Sequence, residues 1–192
     1  MPDRRSFLRT TAVGAAAAPL LLEGCAPQQA STVPGQPIGP VALSTWEHGL
    51  GANEAAWTIL QRGGTALDAV EAGVRVPEAD PTQRTVGYGG YPDRFGRVTL
   101  DACIMDERGR CGSVAFLQHI MHPVSVARRV MEATPHVMLV GQGALDFALS
   151  EGFEEQNLLT PESEAAWIEW KEENGETRPM INIENHDTIG ML

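Results

Sequence analysis

The chain has 192 residues, with 14 Lys or Arg against 25 Asp or Glu, a formal net charge of -11 and 43% apolar residues. A charged fraction of 20% beside that apolar share excludes a fully disordered chain, and 20 Gly and 13 Pro without a three-residue period exclude a collagen-like one. Lys171 is the single Lys beside 13 Arg that form no basic stripe, so the acidic chain repels phosphate backbones and nucleic acid is not an expected partner. One domain of mixed helices and strands is the expectation that remains.

Residues 1–24 read as an address rather than as fold. Arg4-Arg5 ahead of Phe7-Leu8 resembles a twin-arginine export signal, and the Ala-rich run from 12 to 22 is too short for the roughly 20 apolar residues that span a membrane. The expected location is therefore exported and periplasmic. Leu22-Glu23-Gly24-Cys25 resembles a lipoprotein cleavage box, with Glu23 where a small residue is usual. Lipid anchoring at Cys25 and its absence both stay open. Residues 25–40, rich in Pro, Gln, Gly and hydroxyl residues, read as a flexible linker, so folded material is expected from Val41.

Residues 41–45 form a short apolar run ending at Trp46, which predicts a strand. Asn53 predicts the cap of a helix over 53–62, with Ala56, Trp57 and Leu60 on one face and Gly63-Gly64 as its stop. Thr65 predicts the cap of a second helix over 66–76, ending at Pro77. From Val98 the apolar period becomes two, which predicts a strand through Met105. Turn residues at 106–109 and a partner strand over 111–116 complete a hairpin. A helix over 125–133, a strand over 137–140, a helix over 144–150 and a helix opened by Thr160-Pro161 follow. Residues 172–178 read as polar and exposed, and 181–184 as one more strand. Hairpins alternating with grouped helices predict an α+β fold of helices packed on antiparallel sheets.

The obvious chemical candidates carry little. His119-x-x-His122 beside Pro123 lacks the paired spacing of a structural zinc site, and no metal is expected. Cys103 and Cys111 each lie four residues from Glu107 and so face each other across the expected hairpin, leaving a disulfide and two free thiols both open. Gly141-Gln142-Gly143 has Asp146 where a dinucleotide loop needs its third glycine. It reads as a helix entry, and no cofactor is expected. The Gly87-Tyr88-Gly89-Gly90-Tyr91-Pro92 segment reads as a surface turn, with the wall of a ligand cleft as its alternative.

His186-Asp187-Thr188-Ile189-Gly190, between a short strand and the apolar Ile-Gly-Met-Leu end, changes the weighting. Together with Val41-Ala-Leu-Ser-Thr-Trp46, Gly87-Tyr-Gly-Gly90, Pro92-Asp-Arg94, the run from Gly96 to Asp106 and Thr134-Pro-His-Val-Met-Leu-Val-Gly141, it resembles the N4-(β-N-acetylglucosaminyl)-L-asparaginases, or glycosylasparaginases. The segments stand in family order from Val41 to the end of the chain. Asp187 and Trp46 favour this branch over the related plant-type asparaginases.

The resemblance implies a four-layer αββα sandwich of the N-terminal-nucleophile hydrolase type, incomplete in this chain. Residues 41–187 would be its N-terminal (alpha) subunit and 188–192 the start of its C-terminal (beta) subunit. It further implies that Thr188 is the catalytic nucleophile, that His186, Asp187 and Thr188 carry self-cleavage between Asp187 and Thr188, and that Trp46 binds substrate. The implied substrate is a small glycosylated asparagine, the implied partner is the C-terminal (beta) subunit, and the implied assembly is an oligomer when complete. Five residues from Thr188 to Leu192 leave out the oxyanion donors, whose loss typically costs a factor of about 100 to 1,000 in rate, so the chain alone is expected to be inactive. A broader L-asparaginase or isoaspartyl peptidase and a non-catalytic remnant are the competing readings.

Overall fold

A computed structural model describes residues 39–175 and 188–192, of which 40–192 belong to one unit. The export segment, Cys25, most of the linker, the expected strand over 181–184 and the His186 and Asp187 positions lie outside the described residues.

Two helices come first. Helix α1 spans Gly49–Gln61 and begins four residues before the expected Asn53 cap. The turn at Trp46 and Glu47 accounts for the difference, because the Gly49 and Leu50 N–H groups donate to the carbonyls of Trp46 and Glu47 and close a helical turn upstream. Asn53 therefore lies inside the helix. The predicted stop at Gly63 holds, with Gly63 in the left-handed conformation (φ 78°) and the Arg62, Gly63 and Gly64 N–H groups donating to Ile59 and Leu60.

Helix α2, Ala66–Ala79, starts at the predicted cap: the Thr65 hydroxyl accepts from the Asp68 N–H at 3.1 Å. It runs three residues beyond the predicted end and takes Pro77 inside. Proline there removes one intrahelical bond near the helix end, and its fully buried ring continues the Ala69, Gly73 packing stripe.

Strands β1, Leu100–Met105, and β2, Cys111–Leu117, form the predicted hairpin, with a register irregularity between Leu100 and Ala102. Its loop runs from 106 to 110. The hairpin is thus centred on Arg108 rather than Glu107, and Cys103 pairs with Ser113 while Met105 pairs with Cys111. The two thiols are diagonal neighbours, at separations of about 7–8 Å for such pairs, and both are free.

Helix α3, Pro123–Ala133, crosses back over the sheet and delivers β3, Met138–Val140, alongside β2. The β2/β3 pair is parallel, Ser113 to Met138 and Ala115 to Val140, so the sheet is mixed rather than antiparallel. A helical crossover imposes this, since a chain returning over the sheet arrives running in its original direction. Gly112 lets α3 approach closely: a Cβ there would overlap the Ala127 carbonyl oxygen and stand 2.6 Å from the Met131 nitrogen.

Helix α4 spans Gly141–Ser150 and absorbs the expected Gly-Gln-Gly entry, with the Gln142 amide donating to Asp146 one turn on. Helix α5, Pro161–Asn174, opens as predicted, with the Thr160 hydroxyl accepting from the Ser163 N–H; Glu172 and Glu173 belong to this helix. The main core gathers Ile104, Val114, Leu117, Val124, Val130 and Ala144 between the sheet, α3 and α4, with Val70 and Val74 of α2 packed against it. The described part is α+β, with helices on one face of a small mixed sheet.

Candidate active site

The segment 43–45 forms no extended strand of its own. It pairs antiparallel with 190–192 through a bridge between Ser44 and Met191, with Leu43 and Leu192 exchanging both backbone bonds at 2.9 Å. The Thr45 N–H donates to the Gly190 carbonyl at 3.0 Å, and the Thr45 hydroxyl accepts from the Gly190 N–H at 2.9 Å. Three consecutive pairs fix the register, leaving Trp46 one residue and Thr188 two residues past the last of them. Sequence separation of more than 140 residues is closed at this point, which brings two of the predicted site residues to neighbouring positions.

Trp46 stands in the left-handed region at φ 63°, a strained conformation for a bulky residue. Two features hold it. The Gly49 N–H donates to the Trp46 carbonyl, and the Ser44 hydroxyl donates to the Gly49 carbonyl at 2.8 Å, across a space that a Cβ on Gly49 would fill. The indole is 45% exposed, and Thr188 is exposed as well.

Thr188, Ile189, Gly190 and Met191 line one wall of a cavity of about 1560 Å³. Ligand pockets are commonly about 300–1,000 Å³, so this cavity is larger than a small substrate needs. Trp46 is not among its lining residues. The opposing walls bring together parts of the chain that the sequence does not connect: the loop from Arg84 to Gly90, the open face of β1 with Asp101 and Cys103, and the start of α3 at Pro123 and Val124. The glycine end of the segment from Gly87 to Pro92 is therefore no surface turn, although Tyr91 beyond it stays exposed. Gly87, Gly89 and Gly90 are buried, Gly87 and Gly89 have φ of 60° and 78°, and the Gly89 N–H donates to Leu158. The Ser163 hydroxyl in α5 donates to the Gly89 carbonyl from the other side.

Among the polar side chains on this cavity, Glu78 and Thr85 escaped the reading of the sequence, and Asp101 entered it only as part of the run from Gly96 to Asp106. Asp101 sits at the register irregularity of β1 and accepts the Phe116 N–H at 2.7 Å, supporting Phe116 at φ 53°. Thr85 lines the loop wall. Glu78 is 3% exposed; its carboxylate accepts the Val124 N–H at 3.1 Å and lies 3.2 Å from His122 Nδ1. Burial pushes the Glu78 carboxyl above its ordinary value, against the pull of His122, the Val124 N–H and Arg75. A signal for it existed: Val70, Val74 and Glu78 repeat at four-residue spacing, and ending the helix at Val76 cut that stripe short. His122 of the His119-x-x-His122 pair is thus engaged by a carboxylate, while His119 lines a separate, smaller cavity beside Gln118 and Gln142.

The family model described as Asparaginase matches residues 31–190. The chain belongs to the asparaginase family. It is 65% identical over 153 residues to an N(4)-(Beta-N-acetylglucosaminyl)-L-asparaginase of Elizabethkingia miricola, a match covering 80% of this chain and 45% of that protein. The rat protein of the same name is 37% identical over 183 residues, covering 80% of this chain and 53% of the relative. A putative member from Drosophila erecta is 44% identical over 192 residues, with 80% and 48% covered. The chain spans about half the length of the curated relatives it matches. Within this family chain, the segment beginning at Thr188 lines the cavity and is paired through residues 190–192 with 43–45.

Proposed function

We propose that the chain is the N-terminal half of an exported amidohydrolase that cleaves the amide joining N-acetylglucosamine to the side chain of L-asparagine, with Thr188 as nucleophile. The observation that carries this reading is the placement of Thr188: exposed, on the wall of a cavity, and anchored two residues downstream by both the backbone and the hydroxyl of Thr45. The names of the relatives supply the reaction class.

The chemistry follows from the residue type. The Thr188 hydroxyl attacks the Asp187 carbonyl carbon; the C–O bond forms, the C–N bond breaks, and the hydroxyl proton ends on the freed α-amine. Water then hydrolyses the ester, leaving a carboxylate on Asp187 and a free amine on Thr188, with His186 assisting this step. An α-amine has a reference pKa of about 7.7–8.0, close enough to neutrality for it to serve as base to its own hydroxyl. In turnover that hydroxyl attacks the side-chain carbonyl of glycosylated asparagine. The glycosylamine leaves with the proton the amine took up, and water releases aspartate from the β-aspartyl ester. Trp46, held beside the Thr188 segment in a fixed left-handed turn, offers an aromatic face to the substrate.

The remaining layers and the oxyanion donors come, in this reading, from a C-terminal (beta) subunit that completes a four-layer αββα sandwich over the exposed face of the sheet. The twin-arginine-like segment directs the protein to the periplasm, and Cys25 offers a point for a lipid anchor. Intact mass of the exported protein, expressed from its native locus with downstream sequence, tests the reading. Fragments beginning at Thr188 and turnover of glycosylasparagine are expected, and Thr188→Ala is expected to abolish both, with turnover falling by a factor of about 1,000 or more. A single uncut species without activity would overturn it, and faster turnover of β-aspartyl dipeptides would move the substrate to the isoaspartyl class.

A further inference from the structure

Glu78 connects two walls of the Thr188 cavity that no sequence proximity joins. Its main-chain carbonyl accepts the Tyr88 N–H at 2.7 Å, and a Cβ on Gly87 would overlap that same carbonyl, so the loop lies directly on the end of α2. Its side chain reaches the other way. One carboxylate oxygen accepts the Val124 N–H in the first turn of α3, and the other meets His122 Nδ1.

His122 is the N-cap residue of α3 and caps nothing with its own side chain. A free N–H at a helix start needs an oxygen acceptor, which a side chain from elsewhere in the fold can supply. Glu78 supplies this cap from another helix, and it does so at 3% exposure on the cavity wall, where leaving the N–H unmet would be costly. Gly87 and Val124 line the same cavity.

We propose that Glu78 is a positioning residue for the hydrolysis assigned to Thr188, clamping the Gly87 loop and the start of α3 at the separation the substrate requires. This rests on the function proposed above. Each half of the clamp is short: the carbonyl holds the loop by one bond, and the carboxylate holds α3 by one bond and its contact with His122. Removing the carboxylate takes away the cap on Val124 and the contact with His122, while the loop bond and the bond from Arg75 of α2 to the Ser125 hydroxyl of α3 at 3.0 Å stay in place, so the start of α3 shifts without coming away. The clamp needs an acceptor for the Val124 N–H and a partner for His122 more than it needs charge. Gln provides both, since its carbonyl accepts from Val124 and its amide donates to an unprotonated His122 Nδ1. Burial disfavours the ionised carboxyl, so Glu78→Gln is expected to melt no lower than the wild type at neutral pH.

The test uses the complete protein and glycosylasparagine as probe, with turnover expressed per chain cleaved before Thr188 and measured well below each melting temperature. Glu78→Ala is expected to lower kcat about 10- to 100-fold with KM changed less than about threefold, because misplacement by an ångström costs rate rather than affinity. Glu78→Gln is expected to retain kcat within about threefold. His122→Ala removes one contact at a half-buried position, and an intermediate fall is expected; it decides the matter if Glu78→Ala does not fold. A folded Glu78→Ala or His122→Ala with wild-type kcat overturns the clamp, as does a Glu78→Gln variant that loses as much as Glu78→Ala. A wild type that is neither cleaved before Thr188 nor active on the probe overturns the hydrolase itself, and the role of Glu78 falls with it.

Discussion

On one face of the three-stranded sheet, Ile104, Val114 and Leu117 lie beneath α3 and α4, almost fully removed from water. On the other, Met105, Met138 and Val140 are 66%, 54% and 56% exposed, in line with Cys103. The same strands make both faces, and both carry apolar side chains. A sheet that faced water on one side would alternate apolar with polar residues, so this composition suits a sheet with layers on both sides. The helix-covered face is the part of the fold these residues close by themselves. The exposed face and the Thr188 cavity adjoin each other, and the proposed C-terminal subunit would cover both.

Substitutions separate the two faces. Leu117→Ala is expected to destabilise the 192-residue chain by about 2–5 kcal/mol, whereas Met105→Ala shifts it by less than about 0.5 kcal/mol. Urea unfolding measures both. In the complete protein the Met105 cost should rise to the core range, and a Met105→Ala that stays silent there would contradict the covered second face.

Gly112→Ala tests how tightly the covered face is built. Its Cβ would overlap backbone of α3, which cannot yield as a flexible side chain does, and a loss of about 1–3 kcal/mol is expected by the same measurement. Thr160→Ala, which removes the cap of α5, is expected to cost about 1 kcal/mol in thermal unfolding and to loosen the α5 contact with Gly89.

The smallest effect is electrostatic. Arg128 bonds Glu132 at 2.8 Å and Asp68 and Glu71 at 2.7 Å, tying α2 to α3. The bond from Arg128 holds the Glu132 carboxyl below its ordinary value of 4.5. A carboxyl lowered on folding stabilises above its unfolded value and loses that contribution as pH falls through its folded one. The unfolding midpoint should therefore hold from pH 7 to 5 and fall below pH 4. Arg128→Met should flatten that fall by about 0.2–1 kcal/mol per pair removed.

Elements with local determinants were legible in the sequence. Thr65 and Thr160 announce their helices because a hydroxyl accepting the N–H three residues on needs nothing from the rest of the chain. The hairpin followed from a period of two and a turn. Its exact centre did not, because a five-residue loop over 106–110 moves the pairing by an amount that composition leaves open, so Cys103 faces Ser113 rather than Cys111. The start of α1 was misread because Asn53 is a good cap in isolation, while the actual start depends on the turn at Trp46.

The site divides the same way. Trp46 and Thr188 stood out through motifs, yet their meeting depends on pairing between residues 43–45 and 190–192. Glu78 and Thr85 carry no motif, Asp101 stands in the run from Gly96 to Asp106 without a role assigned to it, and all three reach the Thr188 cavity only through packing. The sequence by itself determined the acidic balance, the helix caps at Thr65 and Thr160, the hairpin and the family, since each is written in neighbouring residues. Tertiary structure alone decided that β3 runs parallel, that the Gly87 loop is buried, and that a carboxylate on α2 caps α3. Those outcomes depend on contacts between segments tens of residues apart, which only burial of the shared core brings together.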